Sequence, residues 1–188
     1  MLPKTADVVI IGGGVMGASA AWHLALRGCT DVVLLEKGPL LGMEATGKCA
    51  GGIRYQFSTE INVRLSQLSL PMLERFHEEL GQDIDLHWPG YLFLLDNEAD
   101  LATFHRNVAM QNRLGVPSEI LSAEVARSMT PLLYSDDIIG AAWHAGDGLA
   151  DPNGVVQGYA AGARRRGAKT LTDVEATGIR VEAGQIVA

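Results

Sequence analysis

The apolar positions change rhythm several times along the 188 residues. Asp7-Val8-Val9-Ile10-Ile11 is a short β-branched run, suited to a strand buried on both faces. Gly12, Gly13 and Gly14 interrupt it. Val15 to Gly28 is rich in alanine, with large residues at Trp22, Leu24 and Leu26, and reads as a helix ended by glycine. Asp31 to Leu35 repeats the strand pattern and stops at Glu36. Leucines at 65, 68, 70, 73 and 80 mark a long amphipathic helix over 59–80, which Pro71 should kink or break. Gly90 to Leu95 reads as a strand, Glu98 to Leu114 as a helix, Ser122 to Ser128 as a short helix capped by Ser122, and Ile138 to His144 as a strand. Asp151-Pro152 supplies a cap and a first-turn proline for a helix reaching about Arg166. The sequence closes on an apparent hairpin, 169–179 against 180–188, with Glu182-Ala183-Gly184 in its turn.

The uncharged stretch after Asp7, with Ala18-Ser19-Ala20 near its end, poses a choice between a membrane or export segment and a nucleotide-binding turn. Three consecutive glycines cost a helix roughly 1 kcal/mol each relative to alanine. Lys4, the only basic residue before the run, makes a poor export n-region. The pattern is instead strand, Gly12-x-Gly14-x-x-Gly17, helix, strand, acid, with Glu36 lying 24 positions after Gly12. Each part has a physical job. Gly12 permits the tight turn, Gly14 lets a pyrophosphate approach the backbone, and Gly17 lets the helix pack on the strand. The helix N-terminus then offers N–H groups and a positive dipole end to phosphates. Glu36 is placed to accept hydrogen bonds from ribose hydroxyls.

Composition narrows the remaining classes. With 47% hydrophobic and 20% charged residues the chain can bury a substantial core. A formal charge of −7 and a single dense basic run, Arg164-Arg165-Arg166, argue against a nucleic-acid partner. Cys29 and Cys49 are the two cysteines, too few for a zinc site or a disulfide framework, so a reducing cytoplasm is the expected compartment. The five histidines, at 23, 77, 87, 105 and 144, show no metal-binding spacing and read as ordinary surface or core residues. No metal is expected.

FAD and NAD share the glycine fingerprint, so the discriminator lies downstream. After Glu36-Lys37 comes "GPLLGMEATGKCAGGIRYQF", too irregular for a helix and suited to backbone laid against something flat. Together "VVIIGGGVMGASAAWHLA", "VVLLEKG" and "ATGKCAGGIRYQF", with weaker matches at "GYLFLL" and "GDGLADPNGVVQGYAAGARRRGA", resemble the D-amino-acid-oxidase-like flavoproteins. The similar branch holds the sarcosine oxidase β subunits, the dimethylglycine dehydrogenases and the dye-linked proline dehydrogenase β subunits. The resemblance implies an α/β fold: a Rossmann-like FAD-binding domain plus part of an α+β substrate domain. It further implies a discontinuous plan, with 1–80 and 146–188 as FAD-binding segments and 81–145 as a substrate-domain segment. Relatives are about twice as long, so the chain is expected to be a truncated portion of a larger enzyme.

The resemblance also assigns roles. Gly12, Gly13, Gly14, Val15, Met16 and Gly17 would hold the FAD pyrophosphate, Glu36 the adenosine ribose, and Lys37 would flank the adenine. Ala45, Thr46, Gly51 and Gly52 would line the flavin, and the backbone of Val174 would meet the adenine. Arg54 would fix a substrate carboxylate; its other reading is an ion pair on a surface loop. Lys48 would favour reduced flavin or assist oxygen; its other reading is a loop cation. Cys49 reads as a packing residue. Some relatives bind flavin covalently through a histidine in this loop; Gly47-Lys48-Cys49 has none, so noncovalent FAD is expected. The implied reaction is oxidation of the C–N bond of an amino acid or secondary or tertiary amine, sarcosine-, dimethylglycine-, proline- or glycine-like, by hydride transfer to flavin N5. Oxygen, a quinone or a partner subunit would accept the electrons, and oligomerisation stays open. Two alternatives remain: a related flavoenzyme acting on a 2-hydroxy acid or glycerol 3-phosphate, and a non-catalytic dinucleotide-binding subunit.

Overall fold

A computed structural model describes residues 2–187. Along the chain the elements are β1 (Val8–Ile11), α1 (Val15–Leu26), β2 (Val32–Leu35), β3 (Gly52–Ile53), α2 (Glu60–Glu74), α3 (Phe76–Leu80), β4 (Tyr91–Leu95) and α4 (Glu98–Arg113). They continue with β5 (Glu119–Ser122), α5 (Ala123–Met129), β6 (Gly140–His144), β7 (Gly148–Leu149), α6 (Pro152–Arg165), β8 (Lys169–Leu171), β9 (Val181–Glu182) and β10 (Gln185–Ile186). Two compact units result. The first takes the residues up to Ala50, Phe76–Ile84 and those from Asp151 on; the second takes Gly51–Arg75 and Asp85–Ala150. The boundaries of these units fall at 50/51, 75/76, 84/85 and 150/151, with α2 in the second unit and α3 in the first.

In the first unit three parallel strands run in the order β1-β2-β8, Val8 facing Val32 and Val33 facing Lys169. Val32, Val33 and Leu34 are buried, as a central strand requires. β1 differs from its sequence reading: Val9 and Ile11 are 54% and 57% exposed, because β1 is an edge strand among the described residues and only one of its faces is covered. Helices α1 and α6 supply the cover through Ala18, Ala21, Trp22 and Ala25 on one and Val155, Val156, Tyr159, Ala160 and Ala163 on the other. Asp151 caps α6 by accepting from the Asn153 and Gly154 N–H groups, with Pro152 in the first turn, as its sequence dictates. Small residues let this helix sit close to its neighbours. A Cβ at Gly158 would lie 2.4 Å from the Phe76 ring, and one at Gly162 would lie 2.4 Å from Leu80 and 2.9 Å from Trp22.

The terminal hairpin is shorter than its sequence reading. Residues 169–171 leave it to pair in parallel with β2, and the turn at Ala183-Gly184 joins only β9 to β10; Ala188 lies outside the described residues. The parallel pairing places Thr170 and Leu171 beside Leu34 and Leu35, an apolar partner that the exposed 180s lack.

The second unit centres on the antiparallel sheet β4-β6-β5, in which Phe93 faces Ala142 and Ala142 faces Ile120. A second antiparallel pair joins β3 to β7, Gly52 opposite Leu149. The helix read as 59–80 is two helices: α2 carries Pro71 inside it, and the break comes at Arg75. Asn97, not a residue of the helix itself, caps α4 by accepting from the Asp100 N–H at 2.9 Å. Ser122 caps α5 as its sequence indicates, accepting from the Val125 N–H.

Candidate functional site

The first unit assembles the glycine turn. Gly12 takes a φ of +105°, open to glycine, and its N–H bonds the Leu35 carbonyl at 2.8 Å, locking the end of β1 to the end of β2. A Cβ at Gly17 would fall 2.0 Å from the Gly12 carbonyl oxygen, which fixes Gly17 as the residue that lets α1 start against the turn. The first turn of α1 carries no acidic residue, and the N–H groups of Met16 and Gly17 find no backbone acceptor among the described residues. Such an end suits an anion.

Two side chains brace the turn. The Glu36 carboxylate, half-buried at the tip of β2, accepts from the Gly13 N–H through Oε2 and from the Gly38 N–H through Oε1, both at 2.8 Å. The Thr46 hydroxyl accepts from the Val15 N–H at 3.1 Å, and a Cβ at Gly14 would meet that oxygen at 3.2 Å. Residues 13, 14, 15, 36 and 46 thus converge, as does Val174, whose N–H bonds the Glu36 carbonyl at 3.0 Å from a non-strand segment. Met16, Lys37 and Ala45 are exposed. Lys48 ion-pairs with Glu44 one helical turn away, both largely exposed, and its ammonium holds the Glu44 carboxyl below the usual range. The Cys49 thiol donates to the Thr46 carbonyl at 3.0 Å.

These residues fit the phosphate and ribose side of FAD. The N–H groups at the start of α1 are available, no Cβ intrudes at Gly12 or Gly14, and the oriented Glu36 carboxylate has lone pairs left for hydroxyl donors.

The second unit holds Gly51, Gly52 and Arg54. Gly51 has a φ of +78° and its carbonyl accepts from the Ala150 N–H. Gly52 leaves 3.4 Å between a hypothetical Cβ and the Tyr91 ring. The half-buried Arg54 guanidinium lies over three rings, Phe57 at 5.3 Å, Tyr91 at 5.1 Å and Phe93 at 5.2 Å. It has no ion pair or hydrogen bond among the described residues. That observation removes the surface ion pair as its explanation.

Sequence reasoning passed over one cluster here. His144, read as an ordinary histidine, is buried and faces the fully buried Asp147, Nδ1 to Oδ1, at 2.9 Å. Tyr55 packs edge-on to the His144 ring, and burial pushes its phenol up, with Glu74 and Asp147 adding to the shift. The only signal was the spacing of an acid three residues after a histidine within a glycine-rich turn.

No helix among the described residues is long and apolar enough to cross a membrane, and no cluster of three metal-binding side chains forms among them.

The family model described as FAD dependent oxidoreductase matches residues 7–188. Mouse mitochondrial dimethylglycine dehydrogenase is 36% identical over 164 residues, covering 87% of this chain and 19% of that protein. The regulatory subunit of mouse mitochondrial pyruvate dehydrogenase phosphatase is 29% identical over 185 residues, covering 98% of this chain and 21% of its own length. The crystal structure of L-proline dehydrogenase from P. horikoshii superposes with a TM-score of 0.88 at 38% identity, over 98% of this chain and 48% of the other. The chain therefore spans about a fifth of those curated relatives and about half of that solved structure. With the glycine turn, the braced Glu36 and this match over nearly its whole length, the chain belongs to the DAO family of FAD-dependent oxidoreductases.

Proposed function

We propose that the protein containing this chain oxidises the C–N bond of a small amino acid bearing an amine, sarcosine-, dimethylglycine-, proline- or glycine-like. The observation that carries the reading is the Arg54 guanidinium, held over three aromatic rings and left without a carboxylate partner. A guanidinium in that state presents a planar fork of donors to an incoming carboxylate. Every substrate of the proposed class has one. FAD, when bound, supplies the two-electron acceptor. Gly12, Gly14, Met16 and Gly17 would hold its pyrophosphate with Thr46 bracing that turn, Glu36 its ribose, and Gly51 and Gly52 its flavin portion. Arg54 would orient the substrate by its carboxylate end, and orientation is where the protein contributes most to cofactor chemistry.

Lys48 enters this reading only after leaving Glu44, since its ammonium is already paired. The Gly47-Lys48-Cys49 loop offers no histidine, which supports noncovalent FAD. The exposed free thiol of Cys49 suits a reducing compartment, and we place the protein in the cytoplasm on that basis.

The test is Arg54→Lys in the full-length protein. A lysine keeps the charge and loses the fork, so KM for sarcosine or proline should rise by about tenfold or more while flavin content stays constant. An unchanged KM removes Arg54 from the role. A second reading draws on the similarity to a phosphatase regulatory subunit: a non-catalytic flavoprotein subunit. Retained flavin that no amino acid bleaches under anaerobic conditions would favour it.

A further inference from the structure

The geometry points to Asp147 as the positioning residue for Arg54, an inference that rests on the carboxylate-binding reading above. Asp147 is completely buried. Its Oδ1 accepts from the Tyr55 N–H at 2.7 Å and faces His144 Nδ1 at 2.9 Å, while Oδ2 accepts from Gln56 Nε2 at 3.0 Å. Gln56 Nε2 also donates to the Tyr91 carbonyl at 2.9 Å. The Asp147 carbonyl in turn accepts from the Gly90 N–H at 3.0 Å, just before β4. One buried carboxylate therefore ties together the two residues that follow Arg54 and the strand carrying Tyr91 and Phe93, two of the three rings beneath the guanidinium.

A buried carboxylate is costly unless its lone pairs are filled, and here three donors fill them. The arrangement matters for Arg54 because its guanidinium has no polar partner of its own among the described residues. Its direction comes from the backbone at 54–56 and from the ring faces, and Asp147 anchors both. Asp147 itself, with no exposed surface, touches no ligand. His144 completes the anchor: its Nδ1 shares Oδ1 with the Tyr55 N–H, so the imidazole and the Arg54 segment are fixed by the same oxygen.

Acetate serves as the probe, titrated against the full-length flavoprotein and read by perturbation of the flavin absorbance, in wild type, Arg54→Lys, Asp147→Asn, Gln56→Met and the Arg54→Lys/Asp147→Asn double variant. Asp147→Asn keeps the volume but sets an amide against N–H donors. Because small misplacements of a binding group carry large penalties, it should weaken acetate about tenfold with flavin stoichiometry unchanged. In the Arg54→Lys background the same change should have little further effect, since both act on one interaction. Should Asp147→Asn not fold, Gln56→Met decides. It removes the Nε2 bridge and a buried Oε1 that has no partner among the described residues, and should weaken acetate in the same direction. Wild-type affinity in Asp147→Asn or, failing its folding, in Gln56→Met, or full additivity in the double variant, overturns the role of Asp147 while leaving Arg54 intact if Arg54→Lys alone loses acetate. Wild-type affinity in Arg54→Lys, or no acetate binding at all, overturns the carboxylate reading itself and the inference with it.

Discussion

Glu36 has two tasks that share one carboxylate. Its oxygens hold the Gly13 and Gly38 N–H groups, which shape the turn, and each keeps lone pairs that a ribose hydroxyl could use. A charged acceptor makes stronger hydrogen bonds than a neutral one, by roughly a factor of two. Glu36→Gln should therefore lower FAD affinity by about tenfold while the protein stays folded, measured by fluorescence titration of the apoprotein; an unchanged affinity would separate Glu36 from the cofactor. Lys48 presents the opposite case. Its pairing with Glu44 is exposed on both sides, and such pairs contribute little to stability, so the pair neither fixes the loop nor commits Lys48 to any chemistry. In the sequence Arg54 and Lys48 each carry a functional reading beside a plain surface one. What separates them is surroundings: three aromatic rings around one, a carboxylate beside the other.

Elements whose own sequence carries their stop and start signals were legible. The glycine turn, α1, β2, the Asp151 cap and α6 all lie within a residue or two of their expected places, because caps, glycines and β-branched runs act locally. β5 and β7 were not legible, being four and two residues long and defined by partners elsewhere in the chain, Trp143 to Gly140 for one and Gly52-Ile53 for the other. The parallel docking of 169–171 on β2 was hidden for the same reason. So was the Asp147 cluster, two of whose donors, Tyr55 and Gln56, lie some ninety residues away in sequence. The α1–α6 contact yields a prediction at this scale. His23, in the last turn of α1, packs against the Tyr159 ring of α6 at 5.9 Å, and burial followed by the nearby Arg27 charge lowers its pKa, with Glu79 opposing. The folded state therefore resists protonating a group that the unfolded chain protonates near pH 6.5. The stability tied to neutral His23 is present above that pH and is lost as the pH falls from it through the lower folded value. Thermal unfolding of the wild type should drop between pH 7.5 and 5 by more than that of His23→Gln; parallel curves would remove His23 as the cause.

At the scale of the whole molecule, the glycine turn, Glu36, Thr46 and Val174 belong to one compact unit, and Gly51, Gly52 and Arg54 to the other. Each unit also shows apolar side chains to solvent: Val9, Ile11 and Met16 in the first, Ile61, Leu65 and Leu68 along α2 in the second. The chain spans about a fifth of the curated relatives named above and about half of the solved proline dehydrogenase. Every contact assigned to FAD above is a hydrogen bond or a close backbone approach, and the loop at 47–49 presents a lysine, a glycine and a cysteine whose thiol is already donating to Thr46. None of these demands a covalent link. Acid precipitation of the full-length protein should accordingly carry all of the visible flavin absorbance into the supernatant. Colour that stays with the pellet would mean a covalent bond, and peptide mapping of that pellet would show whether Cys49 or another residue forms it.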